Sequence, residues 1–325
     1  MLQFSHLYRP KHARLVAGFC FIMCFTLVCA TLVCVTLLAG LTAQAAEKID
    51  LSTPEGALAA WRKDTCSLID KKPIIYTWEG SLYSFRQGAP DKKLFNLQGM
   101  NIRQCDTVDG GKKGKGVKIV SREIMLYLDP KTNKRLDKWL NPWLGREVQV
   151  LHVANDPVNF GTFFPRTETG EPGRIFPWPL KVTEDSWYNL LTVPLFYHNV
   201  LQGDYQRYVG GAYHAVEMFS SFGALDDLLD EKTDTSSVRG GGWSRLSAYL
   251  PWMEMQGREG LLYAHAVSYK VENFDALSDV LKTYINEVAP KYKMPPPMDD
   301  KRKNETSWTV FGKQIEGEKL KRGGH

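Results

Sequence analysis

From Ile74 to Leu128 the chain is a succession of aromatic and β-branched runs cut by turn residues, and this pattern limits the fold more than any other feature. Ile74-Ile75-Tyr76-Thr77-Trp78 and Ser81-Leu82-Tyr83-Ser84-Phe85 have strand composition, with Gly80 between them as a bulge or bend. Residues 94–108 and 117–128 read as two strands joined by a glycine- and lysine-rich tip. No helix start follows that tip, so it is a hairpin end and not a phosphate-binding loop. Asp129-Pro130-Lys131-Thr132-Asn133 is a turn, because Pro130 presets φ and Asp129 accepts backbone bonds. Residues 147–153 form a further strand, closed by Asn155-Asp156-Pro157, and strand patterns resume at 205–209, 213–219 and 261–271.

Other segments carry different signals. Residues 162–194 are rich in proline, glycine and aromatics and read as a long ordered loop with short strands. Residues 233–242 read as a mobile polar connector. A first helix has Ser52 and Glu55 as a capping box and Pro54 in its first turn, with Leu58, Trp61 and Leu68 at helical spacing to about residue 69. A second is capped by Asp275, buries Leu277, Val280, Leu281, Tyr284, Ile285 and Val288, and stops at Pro290. Pro295-Pro296-Pro297 runs extended, and residues 316–325 read as a flexible tail. The predicted fold is mainly β, an antiparallel β-barrel or barrel-like sandwich with a few peripheral helices, or alternatively α+β. Strands and helices do not alternate, which excludes a parallel α/β fold.

The N-terminus carries a separate message. Arg9, Lys11 and Arg14 precede a long apolar run from Leu15 to Leu41, then Thr42-Ala43-Gln44-Ala45-Ala46, with no acidic residue before Glu47. This is the order of an export signal, with Ala43 and Ala45 at the cleavage site and Ala46 first in the mature chain. The run is also long enough to stay in place as an inner-membrane anchor over residues 15–41. Either way the rest of the chain is expected to be periplasmic or secreted.

Removing 45 of the 325 residues leaves 280, enough for one sizeable core at residues 46–315. The segment takes three basic residues from 41 and none of the 36 acidic ones, so the remainder is close to neutral. That charge gives no reason to expect nucleic acid as a partner, nor a membrane beyond the N-terminal segment. Cys20, Cys24, Cys29 and Cys34 leave with the segment. Cys66 and Cys105 remain, as a disulfide or as two buried thiols.

Period-two alternation assigns faces to the histidines. His152 shares a side with Val148 and Val150; His214 with Tyr208, Val216 and Met218; His265 with Leu261, Tyr263, Val267, Tyr269 and Val271. All three are therefore read as inward, while His198 lies in a loop and His325 is terminal. Three inward imidazoles are either separately satisfied core groups, a general acid/base or ligand-orienting set centred on His152 and His214, or a metal site of His152, His214 and His265. The His214–Glu217 spacing does not make a metal pair on a strand, because the two side chains point to opposite faces.

Arg122 shares a face with Val120, Ile124, Leu126 and Leu128, so it is read as buried. A buried guanidinium either clamps a ligand carboxylate or pairs with an acid such as Glu217. Trp243-Ser244-Arg245-Leu246-Ser247 and Pro251-Trp252-Met253-Glu254-Met255 bring flat rings, methionines and an arginine together. They suit the wall of a pocket for an aromatic molecule, or a core segment covering one end of the sheet. Ser244 and Ser247 lack a nucleophile-elbow context.

Trp78-Glu79-Gly80, Leu82-Tyr83-Ser84, Gly99-Met100-Asn101, Ser121-Arg122-Glu123, Asp129-Pro130-Lys131-Thr132, Trp139-Leu140-Asn141-Pro142, Asn155-Asp156-Pro157-Val158 and Trp252-Met253-Glu254-Met255 resemble domain-of-unknown-function family 1838 over about residues 52–308. The resemblance implies no catalytic residues. Many relatives carry a twin-arginine export signal, and this chain has no adjacent arginine pair. No nucleotide, haem or flavin signature occurs, so no cofactor is expected. The leading expectation is a binder of a small apolar or aromatic molecule, with Arg122, Arg245, Trp252, Met253 and His265 as ligand contacts. The alternatives are a cofactor-independent lyase, isomerase or hydrolase using His152 or His214, and an envelope structural or interaction protein.

Overall fold

The computed structural model describes residues 48–177, 180–197, 213–237, 240–255 and 258–323. The export segment, the strand expected at 205–209, His198 and His325 lie outside these residues.

One large antiparallel sheet dominates. Its strands are β1 (Ile74–Phe85), β2 (Lys92–Asp109), β3 (Lys115–Leu128), β6 (Val153–Asn155), β7 (Gly161–Phe163), β8 (Leu180–Val182), β9 (Ser186–Tyr197), β10 (Tyr213–Ala224), β11 (Gly240–Ser247) and β12 (Leu261–Val271). The order is β6-β3-β2-β1-β12-β11-β10-β9-β8, with β7 also on β3. A small hairpin pairs β4 (Lys138–Asn141) with β5 (Arg146–Gln149). Among the described residues four α-helices accompany the sheet: α1 (Pro54–Thr65), α2 (Leu225–Leu229), α3 (Asp279–Glu287) and α4 (Ser307–Gly323).

The mainly β expectation holds, but the barrel does not, because β6 and β8 end the sheet without pairing to each other. The sheet curls instead. Glu123 on β3 feels the charges of Glu217 on β10 and Arg245 on β11, although β2, β1 and β12 lie between them in the ladder.

Each face of the sheet has its own covering. One end of the concave face is plugged by Tyr249–Met255, the β4–β5 hairpin and Trp308, Phe311 and Ile315 of α4. The other end is closed by α1, the Cys66–Cys105 region and Trp187. On the convex face, Ile75, Met100, Ile102, Ile124, Leu126 and Leu128 pack against Leu281 and Ile285 of α3 and against Tyr292. Among the described residues no such layer covers the convex face of β12 to β9, and large apolar side chains there are exposed.

Local chemistry explains where element boundaries depart from expectation. Thr53 caps α1 by accepting from Gly56, while Ser52 bonds Asp50 and Glu55 pairs with Arg166, so the capping box does not form. Ser278 caps α3, and residues 274–276 make a separate 3₁₀ turn. The ladder with β12 runs unbroken through Gly80; its glycine serves close approach, since a Cβ there would lie 2.1 Å from the His265 carbonyl. Residues 186–194, expected within a long loop with short strands, belong to the full-length β9. Pro194 is tolerated there because β8 reaches only to Asn189, leaving β9 as an edge beyond it. The expected tail is helical to residue 323. Thr235 and Ser236, expected to be mobile, are fixed by the Lys270 ammonium, which also donates to the Lys63 carbonyl, each bond 2.9 Å.

Candidate functional site

Strand register places three rows of side chains across the concave face. The first runs Gly99, Trp78, Ser268, Gly241, Ser221, Asn189. The second runs Leu97, Gly80, Ala266, Trp243, Phe219, Leu191, and the third Phe95, Leu82, Ala264, Arg245, Glu217, Val193. Glycine, alanine and serine form the floor, and two indoles stand on it. The Trp78 ring lies over Gly99, where a Cβ would come within 2.3 Å of it. Phe219 and Leu191 are 39% and 47% exposed, so this end of the concavity is open to solvent.

Beside the rings sits an ion pair. Arg245 Nη1 donates to Glu217 Oε1 at 2.9 Å and its Nη2 to Tyr213 Oη at 3.1 Å. The two charged side chains keep 24% and 19% of their surface accessible. Burial opposes the Arg245 charge, but Tyr213, Glu217 and Tyr127 outweigh it and hold its pKa above the ordinary arginine value. Across the curl, Asn155 donates to Glu123 Oε1 at 2.8 Å. Burial raises the Glu123 carboxyl; Asn155 counters this and the Glu217 charge adds to it. Burial likewise raises Tyr127.

Deeper in the concavity lies Asp64, just before the end of α1. Burial pushes its carboxyl up, against the pull of Lys270, Asn189, Arg103 and Ser221. Burial draws Lys270 down to about 8, with Asp64 opposing. Arg103 bonds Asn101 Oδ1 at 2.8 Å and stacks 4.8 Å from the Tyr76 ring centre. Several buried polar atoms of this face have no hydrogen-bond partner among the described residues: Trp78 Nε1, Arg245 Nε, Asp64 Oδ1, Asn155 Oδ1 and Asn189 Oδ1. Orphans are few in native interiors, and five of them share this face.

The expected residues divide. Arg245 is on the concave face. Trp252 and Met253 are buried in the plug, packed on Phe95, Tyr127 and Trp139, so they are core rather than an open pocket wall. His214 and His265 are corrected: register puts both on the convex face, exposed, with Met218, Tyr263 and Val267. Their strands alternate as expected, but the apolar side is the uncovered one. His152 lies between β5 and β6, where Nδ1 accepts the Tyr127 amide at 3.1 Å, and the ring stacks on Tyr127 and meets Tyr284 edge-on. Burial lowers it to about 4, with Arg135 adding to the shift.

Arg122 is buried as expected, but on the convex side, away from the concave rows. Its partner is Asp156 at 3.3 Å, not Glu217, and it donates to the Lys291 carbonyl at 2.7 Å. Lys291 and Arg302 also hold Asp156, at 2.7 and 3.0 Å. Burial disfavours that carboxylate, yet Arg302, Lys291 and Arg122 keep its pKa below the ordinary value. A ligand clamp at Arg122 is thus replaced by a closed ion cluster. Among the described residues no three His, Cys, Asp or Glu side chains gather as a metal site. Cys66 and Cys105 form a disulfide with a Cα–Cα distance of 6.2 Å.

Sequence reasoning missed Glu123, Glu217, Trp78 and Asp64 as a group. Strand parity was the available signal: Glu217 and Arg245 fall on the same side as Trp243 once the ladder is known.

The match to a family model spans residues 71–315, described as protein of unknown function DUF1838. The chain belongs to the DUF1838 family. The matched region takes in every strand of the sheet and the plug at one end, while α1 at the other end precedes it. No curated protein matches the chain.

Proposed function

We propose that this DUF1838 protein is exported and that its concave sheet face binds a small, largely apolar or aromatic molecule. The observation that carries this is the pairing of flat rings on a small-residue floor with a solvent-reached Arg245–Glu217 pair. Trp78, Trp243 and Phe219 supply apolar area with little side-chain entropy to lose, and the solvent-reached part of the Arg245 guanidinium is where a ligand oxygen can approach. Export rests on the N-terminal residue order, and the Cys66–Cys105 bridge suits an oxidising compartment. Sequencing the mature N-terminus tests export, with Ala46 as the expected first residue.

Isothermal titration with 2-naphthoate, an aromatic body carrying one carboxylate, tests the binding face. Wild type is expected to bind, with Arg245→Ala weaker by about tenfold or more, the loss of one charge-assisted bond. Affinity that survives both Arg245→Ala and Trp243→Ala sinks the assignment.

A second reading is a cofactor-independent enzyme. It now rests on Glu123, since His214 is on the other face and His152 is a backbone acceptor. A carboxyl whose pKa burial raises, across the cleft from an arginine-paired carboxylate, is an acid–base arrangement. Glu123→Gln is then expected to leave ligand affinity intact while stopping turnover; unchanged turnover removes this reading.

A further inference from the structure

The convex face of β1, β12, β11, β10 and β9 lies opposite the concave site and shares no side chain with it. Among the described residues, ten apolar side chains on it are 37–61% exposed, Phe85, Tyr263, Val267, Met218, Phe222 and Leu190 among them. Register makes them contiguous: Phe85 is beside Leu261, Tyr263 beside Leu246, and Phe222 beside Tyr188. At about 200 Å² per large side chain, their open area is on the order of 900 Å². Single exposed patches on monomers rarely exceed a few hundred Å², whereas one partner of a stable interface buries about 800 Å².

Charge narrows the occupant. Glu79, at the β1 margin, is the only Asp, Glu, Lys or Arg at the convex-face positions of these five strands. An anionic membrane surface is met by lysine and arginine, which are absent here. A partner steered by charge needs a field of one sign, also absent. A face whose one charge sits at its margin is complementary to itself, because a two-fold axis through its apolar centre brings no like charges together. We propose that this face joins two copies of the chain sheet to sheet.

Sedimentation equilibrium of the purified protein tests this. Wild type is expected at twice the chain mass. Val267→Lys and Leu190→Glu, both at exposed positions, are each expected to raise the dimer dissociation constant by about tenfold or more, since each buries an unpaired charge. Near-ultraviolet circular dichroism identifies any variant that has misfolded, and the second variant then carries the test. A monomeric wild type, a dimer indifferent to both changes, or a monomer that floats with phosphatidylcholine vesicles overturns the proposal. Because the concave face is not involved, 2-naphthoate binding is expected to be equal in wild type and both variants.

Discussion

His152 shows how one buried side chain sets a pH response. Its pKa falls from an unfolded 6.5 to about 4, so below pH 6.5 the unfolded chain holds a proton that the native state does not. Stability is therefore full above pH 6.5 and is lost as the pH falls toward 4, by roughly 3 kcal/mol across the window. Urea midpoints measured from pH 4 to 7 are expected to show this slope, and His152→Asn, which keeps an acceptor for the Tyr127 amide, to flatten it. An equal slope in the variant assigns the effect elsewhere. Asp156 has a different expected signature. Asp156→Ala leaves Arg122 buried without its carboxylate and is expected to cost about 3–5 kcal/mol in denaturant unfolding, against under 1 kcal/mol for a surface pair. At this scale the sequence was legible in part. Burial of Arg122 followed from its apolar neighbours, whereas its partner did not, because Asp156 sits 34 positions away in a segment that only the fold brings near.

At the scale of elements, alternation located β1, β2, β3, β10 and β12, because their apolar residues recur every second position. It failed for β9, whose proline suggested a loop, and it could not say which face of β12 was inward. Tyr263, Val267 and Tyr269 look like a core stripe, yet the small residues Ala264, Ala266 and Ser268 opposite them are the ones that face the concavity. Space for the indoles requires small residues, and a sequence scan for hydrophobicity overlooks them. Gly99 is the sharpest case. Gly99→Ala forces the Trp78 ring to move, with an expected cost of about 1–3 kcal/mol and a shifted tryptophan emission. Unchanged emission and stability contradict the packing described. The disulfide closes a loop of 39 residues between α1 and β2, worth about 4 kcal/mol in the chain-entropy model. Replacing both cysteines by alanine is expected to lower thermal stability accordingly, and a wild-type melting curve from the double variant places that stabilisation elsewhere.

For the whole molecule, the curl matters more than closure. A closed barrel of this many strands hides its interior, while this sheet keeps one wall, Phe219 and Leu191 on β10 and β9, open to solvent. Two plugged ends and one open side make a cleft with polar groups at depth and rings near its mouth. Native mass spectrometry of protein purified from its own cells asks whether this cleft holds a small molecule. A discrete additional mass is expected on the wild-type chain and is expected to be lost or strongly reduced in Arg245→Ala and Trp243→Ala. A bare chain mass in the wild type, or an added mass retained equally by both variants, contradicts a ligand held there.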